Sequence, residues 1–134
     1  MDIEELNGDE KAVIEIIRAF KFLRQENYDV KELSIGRRSN PSIIYSNLRA
    51  NRIVKVLGDE SQSWTIVIQR RKLFDFKRDD SFFDISDYYK TFGGSMAKDK
   101  NYTLKSQVDF IQQHLMPVIK GEVWIDELIK QKNK

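Results

Sequence analysis

The stretch SIIYSNLRANRIVKVLGDESQSWTIVIQ, residues 42–69, decides the fold class of this 134-residue chain. It contains three strand-like segments rich in Ile and Val, at 42–48, 52–57 and 64–69, with apolar residues at alternating positions in the last two. The links between them are short and carry turn-forming residues. Because short links join antiparallel neighbours, the stretch predicts consecutive antiparallel strands.

A fourth strand is predicted just before this stretch, at 30–38, and a helix is predicted at the start of the chain. Residues 9–26 place Val and Ile at spacings of three and four, which is typical of an amphipathic helix, with Asn7 as its N-cap. The strands are contiguous and the helices lie outside them. The sequence therefore predicts one α+β domain over 1–134, an antiparallel four-stranded meander sheet with an N-terminal helix and C-terminal helices packed on it.

The C-terminal part of the chain, from residue 86 onward, carries the signals for those helices. Ser86 is predicted to cap a short helix, and Thr103 is predicted to cap a second long one. Pro117 is expected to bend that helix and Gly121 to interrupt it. A last short helix is predicted at 123–130.

Composition restricts the chemistry and the location of the protein. The chain has no cysteine, which excludes disulfides, thiolate catalysis and cysteine metal sites and fits a reducing cytosol. It begins with an acidic segment, and no apolar run approaches the ~20 residues of a membrane helix. We therefore expect a cytoplasmic protein that makes no membrane contact and uses no cofactor.

The sequence offers little for catalysis. His114 is the single histidine and lies on the second long predicted helix, without an identified partner that would orient it. One histidine is also too few for a histidine-based metal site. We expect no catalytic residue, no bound metal and no enzymatic activity.

A nuclease-like interpretation stays open as a third alternative. Asp59 precedes a strand that ends in Gln69-x-Arg71, an arrangement that resembles the PD-(D/E)xK nucleases, in which carboxylates hold Mg²⁺ and a lysine helps to activate water. Here Arg71 stands at the lysine position, and arginine keeps its proton.

Binding of nucleic acid is the second alternative. Residues 11–78 carry fifteen basic against seven acidic side chains, which makes the middle of the chain attractive to phosphate or to an acidic protein. In an antiparallel meander, Arg49, Arg52, Arg70 and Arg71 fall at the same end of the sheet. This arginine set is the candidate contact surface for nucleic acid or for a protein.

The preferred function is that of a non-catalytic protein-binding module. The strands are apolar on both faces, and a single helical layer covers only one of them, so the other face needs a cover. The segment 73–92 is dense in aromatic residues, which protein interfaces favour. The candidate contacts with a protein partner, or with a second copy of the chain, are Phe82, Phe83, Tyr88 and Tyr89.

The layout of the chain points to the same class. A leading amphipathic helix, the segment SIIYSNLRANRIVKVLGDESQSWTIVIQRRK and a C-terminal GEVWIDELI occur in that order. This order resembles small, uncharacterised bacterial α+β proteins that serve as immunity proteins of polymorphic toxin systems. The resemblance implies a non-enzymatic, cytosolic protein that blocks a cognate toxin by surface occlusion. It assigns no role to any individual residue.

Overall fold

The computed structural model describes residues 8–34, 41–58, 64–70, 82–92 and 103–132. In these ranges the chain begins with two helices, continues into strands and ends in helices. The elements in chain order are α1 (Gly8–Ala19), α2 (Lys21–Gln25), β1 (Asp29–Ser34), β2 (Ser42–Asn47), β3 (Arg52–Gly58), β4 (Trp64–Gln69), β5 (Phe82–Asp84), a 3₁₀ turn (Ile85–Tyr88), α3 (Tyr89–Phe92), α4 (Leu104–Phe110), a π-helical turn (Ile111–Leu115), α5 (Met116–Ile119) and α6 (Ile125–Lys132).

The described sheet has five strands in the order β1-β2-β3-β4-β5, and every neighbouring pair is antiparallel. The predicted α+β class with an antiparallel sheet is confirmed. The predicted number of four strands is wrong, because the three residues of β5 pair with the end of β4. Helical residues also follow β5 directly, so the helices are not confined to the two ends of the chain that the sequence predicts.

One face of the sheet, the inner face, packs against the helices and forms the core. Ile16 and Phe20 of the N-terminal helical segment are fully buried in this core, together with Leu115 and Ile119 from the C-terminal helices. Burial of each large apolar side chain contributes roughly 1.5–3 kcal/mol. The buried apolar side chains of the inner face, in strand order, are Ile43, Tyr45, Val54, Val56, Ile66, Ile68 and Phe83.

The N-terminal helix differs from the prediction in one respect. The continuous helix predicted over 9–26 is interrupted at Phe20, where ψ is 21°, so that α1 and α2 are separate elements. Asn27 then adopts a left-handed conformation with φ of 70°, which ends α2 and turns the chain into β1. The predicted cap, Asn7, lies outside the described residues.

The C-terminal signals are confirmed in part. Thr103 caps α4, because its Oγ1 accepts a hydrogen bond from the backbone N–H of Ser106 at 3.1 Å. Pro117 lies in the first turn of α5, where its missing N–H costs nothing. The predicted cap at Ser86 is wrong. Asp84 takes that role by accepting from the N–H of Ser86 at 3.0 Å, so the helical segment starts earlier than predicted.

Candidate functional site

Arg52, the first residue of β3, joins two distant parts of the chain. It is buried, and its Nε donates to the carbonyl of Val118 at 2.8 Å while Nη2 donates to that of Val123 at 3.0 Å. Its Nη1 donates to the carbonyls of Ala50 and Asn51 at 3.2 and 3.0 Å. The guanidinium therefore fixes the β2–β3 turn to α5 and to the connection between α5 and α6.

The same guanidinium contacts an aromatic ring that a second arginine shares. The Cζ atoms of Arg52 and Arg70 lie 4.9 and 4.6 Å from the ring centroid of Trp124, within the range of cation–π attraction. Phe83 meets the same indole edge-on at 5.3 Å between ring centroids. We call Arg52, Arg70 and Trp124 the arginine–tryptophan cluster.

Burial sets the electrostatics of this cluster. Burial lowers the pKa of the Arg52 guanidinium. The nearby Tyr28 acts in the opposite direction, and the positive charge of Arg70 lowers the pKa further. Arginine nevertheless remains charged in proteins. The carbonyl oxygens thus balance the buried charge, and they occupy four of the five N–H donors that a guanidinium has.

The predicted arginine set is therefore divided. The structure brings Arg52 and Arg70 together against one ring, leaves Arg49 exposed on the β2–β3 turn, and does not describe Arg71. Because the donors of Arg52 point to backbone carbonyls, this side chain has little left to offer a phosphate. Its role in the fold could not be seen in the sequence, where a buried and an exposed arginine look the same.

The β2–β3 turn that supports the cluster is fixed from both sides. Asn47 Nδ2 donates to the carbonyl of Glu26 at 2.8 Å, and its Oδ1 accepts from the N–H of Ala50 at 3.0 Å. Gly121, with φ of +78°, approaches the turn so closely that a Cβ there would lie 2.6 Å from the carbonyl oxygen of Ala50. The turn is thus held against Glu26 at the end of α2 on one side and against Gly121 on the other.

The four predicted aromatic contacts differ in exposure. Phe83 and Tyr89 are buried, and the hydroxyl of Tyr89 donates to Gln107 Oε1 at 3.1 Å. Tyr88 is half-buried and packs edge-on against Phe83 at 5.2 Å between ring centroids. Phe82 is 60% exposed. Of the four, only Phe82 is mostly exposed to solvent.

His114 lies in an aromatic cluster. Its ring centroid is 5.6 Å from that of Phe92 and 5.1 Å from that of Phe110. Burial lowers the pKa of His114, and the positive charge of Lys132 lowers it further. In the described ranges no three His, Asp or Glu side chains are placed to hold a metal ion. Asp59, on which the nuclease alternative depends, lies outside those ranges.

The second face of the sheet, the outer face, points away from the core. None of its described apolar residues belongs to the buried core. Ile44, Ile53 and Val67 are half-buried on it, Leu57 is 38% exposed and Phe82 is 60% exposed. Its central cross-strand row, from β1 to β5, consists of Glu32, Ile44, Lys55, Val67 and Asp84.

Lys55 is the cation at the centre of this row. Its direct cross-strand neighbours are Ile44 and Val67, and the acids Glu32 and Asp84 each lie two strands away, at about 10 Å for ordinary strand spacing. Within the part of the chain that the structure describes, Lys55 makes no salt bridge. The outer face thus combines apolar side chains with several Ser, Thr and Gln residues, and it has a basic centre and acidic ends.

No protein-family model, no curated protein and no solved structure matches this chain. The resemblance to immunity proteins therefore stays a prediction that rests on the order of the elements. Among the described residues, no helix has the length and apolar character needed to cross a membrane.

Proposed function

We propose that this protein is a non-catalytic protein-binding module that docks a partner protein on the outer face of its sheet. The observation that carries the proposal is the set of apolar residues that this face leaves outside the core. Contiguous apolar residues outside a core are typical of interaction sites, and aromatic side chains are the most frequent anchors within them. Phe82 and Leu57 supply the exposed apolar area.

The charges of the outer face define the kind of partner that fits. Lys55 would be desolvated by any partner that covers the face, so its position favours a carboxylate opposite it. The terminal acids Glu32 and Asp84 favour basic residues at the rim of the contact. A partner surface with an acidic centre, an apolar surround and a basic rim is complementary to this arrangement.

The same charges make nucleic acid the weaker alternative. Acids at both ends of the central row repel a polyanion, and Arg52 is already committed to backbone carbonyls. Arg49 and Arg70 remain the described members of the predicted set that could contact phosphate. A protein partner accounts for the exposed apolar residues, which a phosphate backbone does not.

The resemblance to immunity proteins supports a toxin as the partner. In that role the module acts by occlusion. The apolar outer face covers part of the toxin surface and excludes its substrate, so that no chemical step is required of this chain.

The test is an affinity capture from a lysate of the source cell, with and without added nuclease, and with two matched variants. Phe82→Ser removes an apolar group from the outer face, whereas Leu48→Ser removes one from the β2–β3 turn, where the side chain is 82% exposed. One protein retained in both arms by wild type and by Leu48→Ser, and lost with Phe82→Ser, supports the proposal. Bound material that disappears with nuclease would favour nucleic acid instead. A captured protein that both variants retain equally would exclude the outer face.

A further inference from the structure

We infer that β1 is a self-complementary edge strand through which two copies of this chain form a continuous antiparallel sheet. The inference does not rest on the proposed function, because pairing through β1 leaves the outer face accessible in both copies. It rests on the exposure of β1, on a bulge within it and on the order of its charges.

The first observation is that β1 is an edge strand of the sheet that the structure describes. It pairs with β2 on one side, and no described strand pairs with it on the other. Five of its six residues are exposed, including the apolar Val30 and Leu33 at 43% and 44%. An edge strand that exposes apolar side chains is a template for pairing with another chain.

The second observation is the bulge. In a regular strand Val30 and Leu33, three positions apart, would point to opposite faces of the sheet. The register shifts between Val30 and Glu32, so that Val30 pairs with Tyr45 and Leu33 pairs with Ile43. Since Tyr45 and Ile43 both belong to the inner face, Val30 and Leu33 lie on that face together.

The bulge permits one particular two-fold register. Residues directly opposite each other in an antiparallel pair must share a face. In a regular strand, adjacent residues point to opposite faces, so a two-fold axis between them would place residues of opposite faces against each other. The extra residue of the bulge in β1 removes this mismatch for an axis between Lys31 and Glu32. That axis creates three pairs, each occurring twice: Val30 opposite Leu33, Lys31 opposite Glu32, and Asp29 opposite Ser34.

The pairs are chemically complementary. Lysine on an edge strand usually opposes pairing between copies, but here each Lys31 meets Glu32 of the second copy. The two apolar pairs extend the inner layer across the axis. Ile17 of α1, a helix that packs on the neighbouring strand β2, is 47% exposed in the helical layer on the same side. The contact is small, so we expect a reversible dimer with a Kd in the micromolar range.

The test is charge reversal followed by sedimentation velocity over a range of protein concentrations. Lys31→Glu and Glu32→Lys each place like charges opposite one another twice, and each should raise the dimer Kd by about tenfold or more. The double variant Lys31→Glu/Glu32→Lys restores the opposite-charge pairs and should return the Kd to near the wild-type value. Both side chains are exposed, and circular dichroism checks that each variant is folded.

Three results would overturn the inference. Wild-type protein that stays monomeric at several hundred micromolar would remove the dimer itself. Single reversals that leave the Kd unchanged, or a double variant that stays as weak as the single ones, would remove this register. A dimer that Phe82→Ser dissociates and Lys31→Glu does not would place self-association on the outer face instead.

Discussion

Replacing Arg52 by methionine tests whether this arginine is a structural residue or a binding residue. Methionine keeps an apolar stem of similar length but loses the hydrogen bonds to Val118 and Val123 and the cation–π contact with Trp124. It also loses two local bonds, to Ala50 and Asn51. The bond to Val118 is buried and the other three are partly buried, so water recovers part of the loss at those three carbonyls.

The expected magnitude follows from the non-local contacts. Hydrogen bonds from a charged donor contribute about 1.5–3 kcal/mol each, and the cation–π contact adds about 0.5–2 kcal/mol. The substitution also removes a charge that is costly to bury, and this offsets part of that sum. We expect Arg52→Met to lower the free energy of unfolding by about 4 kcal/mol. For a domain of this size the Tm should fall by roughly 12 °C.

The assay is urea unfolding followed by far-UV circular dichroism, because Trp124 fluorescence would respond to the substitution itself. Arg49→Met is the matched control, since it removes the same charge from an exposed position on the same turn. The control should lie within about 0.5 kcal/mol of wild type. If the two variants differ by less than about 1 kcal/mol, Arg52 is not structural, and its role in binding phosphate becomes open again.

Three further predictions follow from single positions. Gly121→Ala should cost about 3 kcal/mol in urea unfolding, because it combines a left-handed φ with a Cβ 2.6 Å from the carbonyl oxygen of Ala50; a cost below about 1 kcal/mol would mean that the turn yields. The pKa of His114 is lower in the folded protein than its ordinary value of about 6.5. The stability that this difference contributes is present above about pH 6.5 and is lost as the pH falls through the pKa of the folded state. His114→Gln should therefore lose less stability than wild type on acidification, and equal losses would contradict this reasoning. Burial raises the pKa of Tyr45 to about 12, so wild-type stability should fall as the pH rises from about 10 towards that value, whereas Tyr45→Phe should lack this component.

The central strands could be predicted from the sequence because one physical cause produces their pattern. Val54 and Val56 alternate with Lys55 since one face of β3 is buried and the other is not, and the period of two survives in the sequence. The predicted strand 64–69 coincides with β4 for the same reason. Strand β5 escaped prediction because three residues are too few to show a period, and its pairing with β4 is set by the fold.

Parts of the candidate sites could be predicted, and others depend on contacts between distant residues. Antiparallel geometry correctly places Arg52 and Arg70 at one end of the sheet. Two of the four carbonyls that accept hydrogen bonds from Arg52 belong to residues 66 and 71 positions away, so the sequence around Arg52 does not reveal these contacts. The bulge in β1 is equally invisible in the sequence, because it exists only as a shift in the pairing with β2.

The most direct test of the central claim compares two dissociation constants for the protein that the affinity capture identifies. The account predicts that Phe82→Ser, on the outer face, raises the Kd by about tenfold or more, because an exposed aromatic anchor is lost. Leu48→Ser, which removes an exposed apolar side chain elsewhere, should change the Kd by less than about twofold. Equal Kd values for the two variants would contradict the claim that this module binds its partner through the outer face of the sheet.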